Sequence, residues 1–161
     1  MKKNKMYGVL EDFIIQNKES HYRLAYSYTK NKEDALDIVQ ESILKALNSV
    51  DSLANAEHIK TWFYRILVNT SLDVLRKKGK LSYVEDIVLE MNSEEKVDIY
   101  ENFDLQNAMD NLPHHYRLII SFRYFEDLKL EEIAAILGEN LNTVKTQLYA
   151  GLKRLRIEME V

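Results

Sequence analysis

The strongest hydrophobic pattern of the chain lies near its carboxyl end, between residues 131 and 156. Apolar residues recur there at helical spacing in two runs, which Gly138 and Asn140 separate. Glycine is the residue that most readily ends a helix in the left-handed conformation. An asparagine at the next helix start can accept hydrogen bonds from the exposed backbone N–H groups. The pattern therefore predicts a helix-turn-helix.

The second of these helices has one apolar and one basic face. Its apolar stripe, which we expect to pack on the first helix, consists of Leu141, Val144, Leu148, Leu152 and Leu155. Residues 142–157 hold four cations and no acid, although the formal net charge of the whole chain is −4. Such a basic helix is typical of one that enters the major groove of DNA.

Three further segments in the first half of the chain have helical periodicity, at residues 21–30, 34–47 and 61–78. We predict three or four helices in this half. In the second segment the inward positions are Ile38, Val39, Ser42, Ile43 and Ala46. In the third segment one buried stripe contains Phe63, Leu67, Thr70 and Val74. A second, more polar stripe of that segment contains Trp62, Arg65, Asn69, Asp73 and Arg76.

Charge divides the chain into unlike parts. Residues 1–80 hold 14 Lys and Arg against 10 Asp and Glu, whereas residues 81–110 hold one Lys and nine acids. Residues 111–161 hold seven of each sign. Alternating strand patterns are weak throughout. We therefore predict an all-α protein with two small domains, 1–80 and 104–161, joined by an acidic flexible linker at 81–103.

Composition excludes several classes of function. The chain has no cysteine, which rules out a disulfide framework and a thiolate metal site. It has no secretory leader pattern and no run of about 20 apolar residues, so a cytoplasmic protein is expected. Motifs of phosphate-binding loops, nucleophile elbows and metal sites are missing. His114 and His115 point about 100° apart on a helix and are expected at the surface or in turn packing. We predict no catalytic residue, no metal and no cofactor.

The order of these blocks resembles an extracytoplasmic-function (ECF) sigma factor, a specificity subunit of bacterial RNA polymerase in the sigma-70 family. The first domain contributes ALDIVQESILKAL (35–47) and KTWFYRILVNTSLDVLRKK (60–78). The second contributes LPHHYRLIISFRYFEDLKLEEIAAILG (112–138) and NTVKTQLYAGLKRLR (142–156). The detailed sequence also resembles the sigma-V-like, cell-envelope-stress branch of Gram-positive bacteria.

This resemblance implies a role for each block. The core polymerase would bind Asp34, Asp37, Gln40, Glu41 and Leu44. Melted DNA of the −10 promoter element would bind Asn55, His58, Lys60, Thr61, Trp62, Tyr64, Arg65, Asn69, Arg76 and Lys77. Duplex DNA of the −35 element would bind Asn142, Thr143, Lys145, Thr146, Gln147, Tyr149, Lys153 and Arg154. An anti-sigma factor, often membrane-anchored, would hold the two domains inactive.

The residues themselves leave alternatives open. The polar face of 34–47 could simply be solvated, and Trp62 could be a core residue rather than a stacking platform for bases. The linker could enter the RNA exit channel or only keep the domains apart. Many relatives carry a basic residue where this chain has Gln147, which prefers adenine edges, so the −35 sequence could differ. A free-standing regulator that binds duplex DNA without polymerase is the main rival function, and a helical protein-binding adaptor is a third.

Overall fold

The computed structural model describes residues 2–79 and 105–160, and every regular element in these two stretches is helical. The all-α prediction is confirmed for this part of the chain. The predicted acidic linker, residues 81–103, lies outside it. The described residues form two compact units, the first containing α1 to α4 and the second the greater part of α5 to α8.

The first unit consists of four helices. Their bounds are Lys2–Gln16 (α1), Lys18–Thr29 (α2), Lys32–Asn48 (α3) and Ile59–Lys77 (α4), with 3₁₀ turns at Val50–Ser52 and Ala56–His58. The Asn31 side chain accepts a hydrogen bond of 2.9 Å from the Asp34 backbone N–H, which starts α3. Helix α2 begins before the predicted residue 21, and α1 was not among the predicted segments.

The core of the first unit is apolar with an aromatic centre. Its fully buried side chains include Leu10 from α1, Ile38 from α3 and Phe63 and Leu67 from α4. Of the stripe predicted on α3, Ile38, Ser42 and Ala46 are buried, whereas Val39 and Ile43 are half-buried. Periodicity thus identified the helix faces, and packing decided how deeply each position is covered.

The second unit contains α5 (Leu105–Asp110), α6 (His114–Ile120), α7 (Leu130–Leu137) and α8 (Leu141–Glu160). Residues Ser121–Phe125 continue α6 as one π-helical turn. Gly138 ends α7 with φ +67°, as its sequence position predicts. The Asn140 side chain accepts a 2.7 Å hydrogen bond from the Asn142 backbone N–H and caps α8. The predicted helix-turn-helix is therefore formed by α7 and α8.

Helix α6 packs closely on α8 and supports the second helix of this helix-turn-helix. Gly151 is buried, and a β-carbon placed on it would lie 3.1 Å from Cβ of Tyr116 and 3.2 Å from Cδ1 of Ile120. Val144 and Leu148 of the predicted apolar stripe are buried, and Leu141, Leu152 and Leu155 are half-buried. The opposite face of α8 is thereby directed to solvent.

Candidate nucleic-acid interface

The exposed face of α8 carries the polar and basic residues that the sequence assigns to the −35 element. Asn142, Thr143, Lys145, Thr146, Tyr149 and Lys153 are exposed, and Gln147 and Arg154 are half-buried. Tyr149 presents 67% of its surface to solvent. Lys145 and Lys153 form no ion pair with any residue inside the described ranges, so their charges remain available to an anion. All eight candidate −35 residues thus lie on α8, and six of them are exposed.

The side-chain amide of Gln147 is hydrogen-bonded within the second unit. The Nε2 atom of His115, on the first turn of α6, is hydrogen-bonded to Oε1 of Gln147. The same His115 nitrogen lies 3.5 Å from a carboxylate oxygen of Glu139, in the turn between α7 and α8. The histidine predicted to serve surface or turn packing therefore contacts a candidate DNA-binding residue directly.

A second surface is formed by α4 and the loop before it. Trp62 is half-buried, and its indole Nε1–H donates a 2.9 Å hydrogen bond to Oγ of Ser52. The Asn55 side chain accepts from the Glu57 backbone N–H at 2.9 Å and shapes the 3₁₀ turn that precedes α4. The loop residues Asn55 and His58 are exposed. These hydrogen bonds order the loop and fix the edge of the indole ring while part of its surface stays open.

The outer stripe of α4 is polar, as predicted. Arg65, Asn69, Arg76 and Lys77 are exposed, and Lys60 and Thr61 are half-buried. The Asp73 carboxylate accepts a 2.9 Å hydrogen bond from Nη1 of Arg76 and lies 3.8 Å from Nζ of Lys45 on α3. Phe63 is fully buried, which confirms its predicted place in the core.

Tyr64 does not belong to this surface, and its inclusion among the −10 candidates is wrong. Its side chain is only 1% exposed and packs edge-on against Phe13 and His21. A ring in that position has no free face on which a base could stack. Its neighbours at helical spacing, Leu67 and Val68, are also buried, so the apolar stripe of α4 is wide enough to include it.

The outward face of α3 carries most of the candidate docking residues. Asp37, Gln40 and Leu44 are exposed, and Glu41 is half-buried with its carboxylate 3.5 Å from Nζ of Lys45. Leu44 exposes 61% of its surface among these polar side chains. A mixed face of carboxylate, amide and apolar groups fits a protein partner.

Asp34 was predicted to be exposed for docking, and this prediction is wrong. The residue is buried, and its carboxylate accepts a hydrogen bond from Nζ of Lys78, at the end of α4. This carboxylate is already neutralised within the unit, so Asp34 is removed from the docking surface. Sequence alone gave no indication of this pair because its members are 44 positions apart.

A cavity of about 500 Å³ lies beside the docking face, between α1, α2 and α3. Its wall includes Ile14 from α1, Tyr22 from α2, and Leu36, Val39 and Ile43 from α3. The lining is mainly apolar, and Leu36 is itself 45% exposed. Such a surface suits hydrophobic side chains of a protein partner better than it suits nucleic acid.

Comparison with known proteins identifies the two units. Residues 13–81 match the family model of sigma-70 region 2, and residues 102–155 match that of sigma-70 region 4. The chain is 54% identical over 158 residues to the RNA polymerase sigma factor SigV of Bacillus subtilis, covering 98% of this chain and 95% of SigV. The chain belongs to the ECF RNA polymerase sigma factors. This family consists of transcription initiation factors rather than enzymes.

One further relative agrees with that assignment, and a solved structure agrees with the fold. The ECF sigma factor SigW of Bacillus subtilis is 31% identical over 163 residues, covering 92% of this chain and 87% of SigW. The sigma factor RpoE of Bartonella quintana, solved in complex with the anti-sigma factor NepR, has the same fold. Its TM-score is 0.68 at 22% identity, with 94% of this chain and 96% of that chain covered. No helix among residues 2–79 and 105–160 is both long and apolar enough to cross a membrane.

Proposed function

We propose that this protein binds core RNA polymerase in the cytoplasm and directs transcription from promoters with defined −35 and −10 elements. The observation that carries the proposal is the succession of a region 2 unit and a region 4 unit in one chain, each with an exposed polar face of its own. The first offers a docking helix and an ordered loop, and the second offers a basic recognition helix. No cofactor is required by this function.

Helix α3 is proposed to dock on the polymerase through Asp37, Gln40, Glu41 and Leu44. Carboxylates and an amide can form charge-assisted hydrogen bonds with a basic partner surface, and Leu44 adds an apolar contact. Replacing Asp37 and Gln40 together by alanine should weaken core binding at least tenfold. The matched control replaces Glu11 and Gln16, an exposed carboxylate and amide on α1, and should leave affinity unchanged. Equal affinities of both double variants would remove α3 from the docking surface.

The loop before α4 and the outer stripe of α4 are proposed to hold the melted −10 strand. Single-stranded DNA is bound by aromatic faces on which bases stack and by cations along its backbone. The open part of Trp62 offers the first, and Arg65, Arg76 and Lys77 offer the second. Asn55, His58, Lys60 and Thr61 would surround a base turned out of the strand, and Asn69 lies on the same stripe.

Helix α8 is proposed to read the −35 duplex. Asn142, Thr143, Lys145, Thr146 and Gln147 lie in its first two turns, from which side chains reach base edges in the major groove. Tyr149, Lys153 and Arg154 lie further along and would contact the sugar-phosphate backbone. The two DNA-binding surfaces act together only when polymerase holds them, because linkage raises the effective concentration of the second site.

In vitro transcription from a genomic fragment library, with and without bacterial core polymerase, tests this function. Discrete start sites that require both components are expected, and their upstream sequences would give the −35 and −10 elements together. Tight, specific binding to duplex DNA by the chain alone, without transcripts, would instead support a free-standing regulator.

We further propose control by a membrane-anchored anti-sigma factor during an envelope-stress response. The structural neighbour from Bartonella quintana is bound to an anti-sigma factor, and the similarity to SigV covers almost the whole chain. Because the inhibitor is a separate molecule, the purified chain should direct transcription without any inducing signal. A requirement for such a signal in the purified system would contradict this form of control.

A further inference from the structure

The contact between His115 and Gln147 determines which part of the Gln147 amide is available to DNA. A glutamine amide that reads adenine must donate from its NH₂ group to N7 and accept from N6 through its oxygen. In this protein Oε1 of Gln147 already engages Nε2 of His115. The NH₂ group then remains, and it can only donate.

The surroundings of the imidazole fix the direction of this hydrogen bond. Nε2 of His115 faces two oxygens, Oε1 of Gln147 and a carboxylate oxygen of Glu139 at 3.5 Å. That Glu139 oxygen is buried and has no hydrogen bond to any residue of the described part. Since both oxygens are acceptors, the nitrogen must carry the proton and donate it. Oε1 of Gln147 is therefore the acceptor of this hydrogen bond and is directed toward His115.

We propose that His115 is a positioning residue for −35 recognition, which holds Gln147 in a donor-only state and turns its preference from adenine to guanine. Guanine presents two acceptors, N7 and O6, in the major groove, whereas adenine presents one acceptor and one donor. The inference rests on the proposed reading of the −35 duplex by α8. It corrects the adenine preference expected for Gln147 from its residue type alone.

The test is a promoter library with a randomised −35 element, transcribed by the full chain with core polymerase. The parent should enrich guanine at one base pair, and Gln147→Ala should abolish that preference and thereby identify the pair. In His115→Phe the amide is released, so adenine should gain about tenfold relative to guanine at this pair only. His115→Gln replaces the ring N–H by an NH₂ donor, so it should keep the parental preference for guanine.

Two control variants separate positioning from a general effect on folding. The double variant His115→Phe/Gln147→Ala should behave like Gln147→Ala alone, because His115 acts only through the amide. Glu139→Gln keeps an oxygen acceptor beside the imidazole and should leave base preference unchanged. A parent that yields no polymerase-dependent transcripts would refute the proposed function. A working parent whose preferences are the same in a folded His115→Phe variant would overturn the role of His115.

Discussion

We predict that His21 makes the stability of the first unit decrease as pH falls below about 7. Its side chain is 0% exposed, and neither ring nitrogen has a hydrogen-bond partner in the described part of the chain. The ring packs against Phe13, Phe63 and Tyr64, with centroids 5.2, 4.5 and 5.5 Å away. Burial among these aromatic side chains lowers the pKa of His21 from 6.5 to about 4. The folded unit therefore holds His21 neutral, whereas the unfolded chain protonates it near neutrality.

The sign and size of the effect follow from proton linkage. Between the two pKa values the unfolded state binds one more proton than the folded state, so the free energy of unfolding decreases as pH falls. With a folded pKa of about 4, this single group should cost about 2 kcal/mol of stability between about pH 7 and pH 5. A loss of this size is a large part of the stability of a small unit.

Comparing the pH dependence of His21→Phe with that of the parent isolates the contribution of His21. The acidic groups titrate in both proteins, so their effect on stability cancels in the difference. Urea unfolding followed through Trp62, the single tryptophan of the chain, reports on the same unit. The stability difference between variant and parent should shift in favour of the variant by about 2 kcal/mol from about pH 7 to pH 5. His58→Gln, at an exposed position of that unit, should leave the parental pH dependence unchanged. Parallel curves for His21→Phe and the parent would refute the reasoning.

Three other predictions concern the two proposed DNA-binding surfaces and the packing that supports them. Gly151→Ala should destabilise the second unit by about 1 kcal/mol, measured by hydrogen exchange of α8, because overpacking outweighs the gain in helix propensity. Gly8→Ala, with open space around it, should instead stabilise α1. Stability changes of the same sign in both variants would contradict the tight α6–α8 contact. Trp62→Phe should preserve promoter opening better than Trp62→Ala, because stacking of a base contributes about 1–3 kcal/mol and the hydrogen bond to Ser52 is secondary; equal losses would argue against stacking. Lys145→Ala should weaken holoenzyme binding to a −35 duplex about tenfold and reduce its salt dependence; unchanged binding would exclude contact with DNA.

Local sequence was sufficient to predict much of the fold. The cap at Asn140 and the helix end at Gly138 depend on residues within a few positions of one another, and both are formed. Helical periodicity likewise identified the faces of α3, α4 and α8. Helix α1 was missed, although Met6, Leu10 and Phe13 recur at helical spacing, because charged residues interrupt the pattern.

The candidate sites were less predictable, because contacts between distant residues decide which groups are available. Lys78 neutralises Asp34, 44 positions away, and His115 binds Gln147 across 32 positions. No spacing rule relates such pairs in an unaligned sequence. Tyr64 is a different case, since the sequence already shows apolar residues at i+3 and i+4, Leu67 and Val68, a pattern that indicates a core position. The other −10, −35 and docking residues stay predictions until their variants are measured.

The ion pairs of the two units affect how much positive charge each proposed surface can offer to DNA without polymerase. On α4, Arg76 is paired with Asp73, and directly after α4, Lys78 is paired with Asp34, so part of the positive charge near the proposed −10 surface is neutralised internally. On α8, Lys145 and Lys153 have no ion pair within residues 2–79 and 105–160. Lys145 and Lys153 should therefore attract the phosphates of the −35 duplex to α8. On the proposed −10 role of the loop and Trp62, polymerase must place the strand against them, and the free chain is expected not to open promoters by itself.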